Sequence, residues 1–243
     1  INLFLGLIRP VEGEISFDDP IYDIRTNAES TLLLLKFCIK NGCKRIIFAS
    51  TMSVYGVKPE HPVKEDEACY PESFYGVAKL ASEHYLRIYQ QYGIETTSLR
   101  LFNVYGTGQN MENLKQGMVS IFLAQMLKDR HIHIKGSPDR FRDFIHVDDV
   151  VESFVRCLKN ENSVGKSINI ATGKQTKVSD VIQMLTSIFK DKVTVEYEGG
   201  TLGDIHGIYA DVILMNNILG AWKKIELKEG ISKMANSYIN SSK

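Results

Sequence analysis

An excess of charge of either sign is missing from this chain: 29 lysines and arginines face 29 aspartates and glutamates, for a formal net charge of zero over 243 residues. Without a basic surplus there is no electrostatic footprint for nucleic acid or an acidic membrane surface, and neither is expected as a partner. Cysteine is scarce as well. Cys38, Cys43, Cys69 and Cys157 lack metal-ligand spacing and follow no secretory leader, so they read as reduced thiols in a cytoplasmic protein. His131 and His133 would share one face of a strand, but Ile132 and Ile134 alternate with them as in a half-buried strand, and no metal is expected. Internal repeats and low-complexity runs are also absent, which sets aside repeat architectures.

What remains is a globular pattern. With 44% hydrophobic and 24% charged residues, the chain can bury one sizeable core, enough for one domain or a domain plus a lobe. Helical and strand signals alternate, as a doubly wound α/β sheet requires. Helices are expected at 27–40 and 75–92, stopped by Gly42 and Gly93, because glycine suits the left-handed conformation after a helix end. Short apolar, β-branched runs at 44–49 and 96–102 read as buried strands. Further helices are expected at 117–128, 179–190 and 227–238, with a strand at 131–135.

Both buried strands end in polar loops. The first delivers Ser50 and Thr51, the second Asn103-Val104-Tyr105-Gly106, and the carboxyl ends of parallel strands are where α/β sheets carry their sites. Tyr75 and Lys79 lie one helical turn apart in Ser73-Phe74-Tyr75-Gly76-Val77-Ala78-Lys79, so their side chains share a face. A fixed ammonium beside a phenol favours the phenolate, and a phenol lowered from its usual value of about 10 can serve as a base. Alone, such a pair is also what an ordinary amphipathic helix carries. Convergence of two strand ends and this helix on one crevice points to proton abstraction from an alcohol.

In order along the chain stand Asp18-Asp19-Pro20 with Asn27 and Thr31, Ala49-Ser50-Thr51 before Val54-Tyr55-Gly56, and Tyr75 with Lys79. Arg100-Leu101-Phe102-Asn103-Val104-Tyr105-Gly106, Arg142-Asp143-Phe144-Ile145-His146-Val147-Asp148-Asp149, and Gly203-Asp204 before Tyr209-Ala210-Asp211 follow. The set resembles the extended short-chain dehydrogenase/reductase family, and within it the nucleotide-sugar 4-epimerases. That resemblance implies a Rossmann-like doubly wound parallel sheet with a smaller α+β substrate lobe. Residues 18–108 and 144–175 would form the NAD-binding part, with 144–149 and 167–173 at the edge of the large sheet, and 109–143 and 176–243 the lobe.

The resemblance also implies NAD as cofactor and a nucleotide sugar, a UDP-hexose or UDP-N-acetylhexosamine, as substrate. Tyr75 would take the proton of the sugar 4-hydroxyl, Thr51 would bond the same oxygen and relay its proton, and Lys79 would hold the nicotinamide ribose and depress the Tyr75 pKa. Asn27, Ser50 and Phe102 would line the cofactor. Asn103 and Arg142 would hold the nucleotide diphosphate, Arg142 by charge-assisted bonds, with a surface salt bridge to Asp143 or Asp139 as the plainer alternative. Met52 and Ser53 stand where the 4,6-dehydratases carry Asp-Glu, and decarboxylases usually carry a Glu beside the Val-Tyr-Gly. This ranks epimerase first, decarboxylase second and dehydratase third. A homodimer through the helices at 27–40 and 75–92 is implied too, with Leu33, Leu34, Phe37, Leu80, His84 and Leu86 as its apolar face.

Two departures bear on this. Seventeen residues precede Asp18 where the family has about two βα units, and neither the glycine-rich phosphate turn nor the acidic residue for the adenine ribose is found. Residues 1–15 instead resemble the stretch after the phosphate-binding lysine of ABC-transporter ATPases. A foreign junction near 17–20, a chain that enters the fold part-way, or an atypical leader would each account for it. The expectation is that residues 1–17 supply no family strand, that the strand ending at Ala49 lacks its flanking neighbours, and that NAD is held weakly, with a non-catalytic remnant as the alternative to an epimerase. The arginine that the family places before Gly203-Asp204 is also missing, which leaves nucleotide and sugar open.

Overall fold

The computed structural model describes residues 3–6, 13–58, 61–112, 117–189, 193–199 and 206–241. In chain order the elements are β1 (Leu3–Gly6), α1 (Gly13–Asp18), α2 (Pro20–Ile24), α3 (Ser30–Lys40), β2 (Arg45–Thr51), α4 (Phe74–Tyr89), β3 (Glu95–Leu101) and β4 (Asn103–Tyr105). Then come α5 (Met118–Asp129), β5 (His131–Lys135), β6 (Phe141–Arg142), β7 (Phe144–His146), α6 (Val147–Leu158) and β8 (Ser167–Ile170). The last are β9 (Thr176–Lys177), α7 (Val178–Ile188), β10 (Thr194–Glu198), β11 (Gly207–Ile208), α8 (Ile213–Leu219) and α9 (Leu227–Ser241).

The frame is a parallel sheet in the order β1-β2-β3-β8. Every residue of β2 is buried, because alternate side chains enter two different layers. Ile46 and Phe48 pack with Leu35 and Cys38 of α3 and Leu86 of α4. Ile47 and Ala49 pack with Val150 and Phe154 of α6 and Met215 of α8. Helices therefore cover both faces, which is the expected doubly wound arrangement. A separate core joins α5, α7 and α9 to β5, through Phe122, Leu123, Val181, Leu185, Ile231, Met234 and Ile132. Among the described residues, no helix is long and apolar enough to cross a membrane.

Three expectations need correction. Leu3–Gly6 pairs in parallel with β2, in register from Leu3 opposite Arg45 to Gly6 opposite Phe48, so β2 does have its neighbour. The open hydrogen-bonding edge of a buried strand has to be satisfied, and four extended residues suffice for that. The amino end also meets the rest of the fold at α1, where Phe17 stands edge-on to Phe74 of α4 at 5.6 Å. Second, β7 does not return to the large sheet. The chain turns away after Phe102, Asn103 N donates to Asp143 O (3.0 Å), and β4 and β7 form their own parallel pair, whereas β8 does join β3. Third, Leu86 lies in the core and is no part of an exposed face, while Leu33 and Phe37 are 60% and 58% exposed.

The helix expected from residue 27 starts earlier. Asp19 caps it through Tyr22 N (2.9 Å) with Pro20 in the first turn, and the chain then passes through a π turn at Arg25–Glu29 before α3. Ser73 caps α4 by accepting from Gly76 N (3.0 Å), and Gly93, at φ 82°, ends the following turn.

A buried ionic network ties α4 to the sheet. Arg100 of β3 donates from Nη2 to Glu83 Oε2 (2.8 Å) and from Nε to Oε1 (3.0 Å). Ser50 Oγ donates to Oε1 (2.5 Å), Ser167 Oγ donates to Oε2 (3.2 Å), and Arg100 Nη1 donates to the Tyr55 hydroxyl (3.0 Å). Removing one partner of such a pair strands the other without solvent. Glu83→Ala is therefore expected to cost about 3–5 kcal/mol in urea unfolding; a loss below ~1 kcal/mol would mean that water already compensates Arg100.

Candidate active site

Thr51 ends β2, and its Oγ1 accepts from Ser53 N (3.2 Å), which turns the chain at once into a short helical turn. Helix α4 sits directly on that turn. A Cβ on Gly76 would lie 2.6 Å from Ser53 O and 2.8 Å from Pro71 Cβ, so only glycine lets the residue after Tyr75 come this close. The docking brings Tyr75 to the Thr51 hydroxyl and drives Lys79 under the strand end. Lys79 keeps 1% of its surface. Its Nζ donates to Ala49 O (2.9 Å) and lies 4.7 Å from the Phe48 ring centroid and 5.7 Å from that of Tyr75.

Burial dominates the electrostatics. It pulls the Lys79 ammonium down to about 8, against the upward pull of the Asp23 and Glu83 carboxylates. Burial also pushes the Tyr75 phenol above its usual value; the Thr51 hydroxyl offsets part of this and the Asp23 carboxylate adds to it. The expected depression of Tyr75 by Lys79 is thus corrected for the protein by itself. The ammonium is bonded to the Ala49 carbonyl and stands 5.7 Å from the Tyr75 ring centroid, and burial is the largest influence on the phenol.

The remaining candidates divide. Asn27 is fully buried in the π turn, donates from Nδ2 to Asp23 Oδ1 (3.0 Å), and has no hydrogen-bond partner for its Oδ1 among the described residues. Asn103 is half-buried and donates from Nδ2 to Asp143 O (3.3 Å) and Met52 Sδ (3.4 Å). Arg142 is buried and donates from Nη1 to the carbonyls of Phe141 (2.8 Å) and His206 (3.1 Å). Burial and neighbouring Arg140 bring its pKa down to about 10. Its two alternative partners are engaged elsewhere, Asp139 with Lys177 (2.9 Å) and Asp143 with Thr172 and Gly173.

Two further candidates are turned into the interior. Ser50 faces α4 and is committed to Glu83, and Phe102 is a core residue packed with Val54, Tyr55, Ala171 and Ile208. Alternation along β2 turns Ser50 inward with Phe48, and Phe102 lies one residue past the end of β3. Gly203, Asp204 and the position of the missing arginine lie outside the described residues. Sequence reasoning missed Asp23, whose only signal was an acidic residue four before Asn27. It also missed Asp143 as a brace: its carboxylate accepts from Thr172 N (2.9 Å), Thr172 Oγ1 (2.6 Å) and Gly173 N (2.8 Å), which fixes the backbone next to Arg142.

A doubly wound parallel sheet with threonine at one strand end and a Tyr-x-x-x-Lys helix docked on it defines a dehydrogenase-like class of site. The chain belongs to the NAD dependent epimerase/dehydratase family, whose model matches residues 12–171. It is 33% identical over 231 residues to a putative UDP-glucose 4-epimerase of Methanocaldococcus jannaschii, covering 94% of this chain and 74% of that protein. A dTDP-4-dehydro-6-deoxyglucose reductase of Escherichia coli is 33% identical over 217 residues, covering 88% and 68%. Among solved structures, the UDP-glucose 4-epimerase of Thermotoga maritima with UDP-glucose superposes with a TM-score of 0.92 at 31% identity, covering 100% of this chain and 78% of its own.

The family cofactor is NAD, and the residues here fit one end of it. The Lys79 ammonium and the unpartnered Asn27 Oδ1 are a donor and an acceptor suited to ribose hydroxyls, beside the Tyr75 phenol. A glycine-rich cradle for its pyrophosphate is not found among the described residues.

The buried lysine has a signed consequence for stability. Its pKa in the folded protein, about 8, lies below the ordinary 10.5, so between these values the unfolded chain holds the proton and the folded state gains as pH rises. The thermal midpoint of the wild type minus that of Lys79→Met is expected to increase over this window, and a flat difference would rule out the shifted lysine.

Proposed function

We propose that this protein is a nucleotide-sugar 4-epimerase of the UDP-hexose type, working through a transient 4-keto sugar. The reading is carried by the turn after Thr51. Met52 and Ser53 bring no carboxylate to the strand end where Tyr75 and Lys79 converge. Elimination of water needs a second acid and base there, whereas epimerisation needs one group that takes a hydroxyl proton and returns it.

Tyr75 is that group, and Thr51 shares the sugar oxygen and relays its proton, since a hydroxyl can donate and accept without carrying charge. NAD, when bound, supplies a reversible acceptor for the hydride at the same carbon. Lys79 and Asn27 orient its ribose, and the lysine stabilises the phenolate by charge. Asn103 and Arg142 hold the nucleotide diphosphate. Arg142 suits this role because it is buried and a guanidinium pairs well with phosphate oxygens. With the cofactor's hydride available to either face of a 4-keto sugar that turns in the site, Tyr75 would return the proton to the 4-oxygen and the configuration would be inverted.

Incubation with NAD and UDP-glucose or UDP-N-acetylglucosamine, followed by NMR, should reveal the 4-epimer of at least one of them. Tyr75→Phe should lower that rate by about 10²–10⁴-fold, the usual worth of a positioned acid–base group, at an unchanged thermal midpoint. An undiminished rate in the variant would remove Tyr75 from the chemistry, and UDP-xylose formed from UDP-glucuronate would replace epimerisation by decarboxylation.

A further inference from the structure

We propose that the cleft between α4 and the edge strand β8 is a second binding site, which takes a phosphate group, free or carried on a small metabolite. It stands independently of the proposed function, because neither the acid–base pair nor the diphosphate contacts of that reading line it.

Strand β8 ends one side of the large sheet, while α4 packs over β2 and β3. The space left between helix and edge strand is a cleft of about 360 Å³, within the range of small-molecule sites. Its lining runs to the amino ends of the strands, through Thr96 near the start of β3 and Gly165 and Lys166 ahead of β8, whereas Thr51 stands at a carboxyl end. The sheet wall of the cleft is polar throughout. Thr96, Ser98 and Arg100 alternate along β3 onto this face, and the parallel register sets Ser167 of β8 beside Ser98. Leu99 and Ile168 turn the other way, into the core with Phe154 of α6. A face meant for a further helix would carry such apolar residues on this side; hydroxyls and a guanidinium suit a polar ligand.

Part of this wall is already matched. Glu83, the one carboxylate among the described lining residues, is neutralised by Arg100 at 2.8 Å, and Thr96 Oγ1 accepts from Gln90 Nε2 (2.7 Å). Ser98 is different: it is 5% exposed, and its hydroxyl has no hydrogen-bond partner among the described residues. Arg87 of α4 and Lys166 are exposed on the rim, and neither forms an ion pair among the described residues. With Glu83 cancelled by Arg100, the cleft keeps the two charges of Arg87 and Lys166 and an unused hydroxyl. Two cations with a hydroxyl donor form the set that a phosphate dianion requires, the guanidinium offering its fork to two oxygens and the ammonium a point charge. A phosphate fills only part of the volume. Gln90 and Ser167 can hydrogen-bond a small polar body attached to it.

Amide NMR of the ¹⁵N-labelled full chain, titrated at constant ionic strength with inorganic phosphate and separately with glycerol phosphate, tests this. The signals of Ser98, Lys166 and Ser167 are expected to shift and saturate with both probes. Tighter binding of glycerol phosphate assigns the cleft to a phosphorylated metabolite, and equal affinities assign it to free phosphate. In Arg87→Ala with Lys166→Ala, both at exposed positions, the thermal midpoint should hold while affinity for either probe falls about tenfold or more, on the scale of a lost charge-assisted contact. Ser98→Ala, which removes only the unpartnered hydroxyl, should weaken both probes as well. The proposal is overturned if chloride at the same ionic strength reproduces the shifts, if they are confined to Asn103 and the residues around Arg142, or if either variant binds as the wild type does. None of these readouts requires turnover, so a protein inactive on UDP-hexoses could still pass them.

Discussion

The ammonium of Lys79 is held where almost no solvent reaches it, and that burial is enforced by how α4 docks on the end of β2. At one end of the contact the backbone of Gly76 presses on the Ser53 carbonyl, and at the other the Glu83–Arg100 pair locks the helix to the sheet. A charge in such a place needs the Ala49 carbonyl, the face of Phe48 and an opposing carboxylate, all of which are supplied. The buried ammonium and the helix docking thus require each other.

The same constraint shapes the chemistry at Tyr75. A desolvated phenol is a poor base, and in the protein by itself desolvation and Asp23 hold Tyr75 in the protonated form. The lysine is close but is bonded to a backbone carbonyl. A positive charge arriving with a bound nicotinamide ring would tip the balance, which couples base strength to occupancy of the cofactor site. On the proposed function, such a site would not deprotonate an alcohol with nothing to accept the hydride.

Much of this was legible in the sequence. The apolar run of β2, the helix of Tyr75 and Lys79, and the polar loop after β3 follow from periodicity, and motif order identified the family. The failures have physical causes. Ser50 adjoins Thr51 in sequence, but a strand alternates its faces and its side chain turns to Glu83 of α4, while Phe102 packs into the core with Val54 and Tyr55. Leu3–Gly6 is too short for periodicity to distinguish, and its strand identity comes from the edge of β2 that it completes. The π turn and Asp23 were invisible because a buried carboxylate has no periodic signature; it is recognised only from what surrounds it.

The ionisation of Tyr75 is the most direct test. It can be followed as the ultraviolet difference between wild type and Tyr75→Phe across a pH titration, with and without saturating NAD. Without NAD, the tyrosine is expected to stay protonated beyond its ordinary value of 10.0. With NAD, the same transition should move to lower pH. A phenolate formed near neutral pH in the ligand-free protein, or a transition that NAD leaves unmoved, would contradict the claim that burial sets the base and the cofactor's charge releases it.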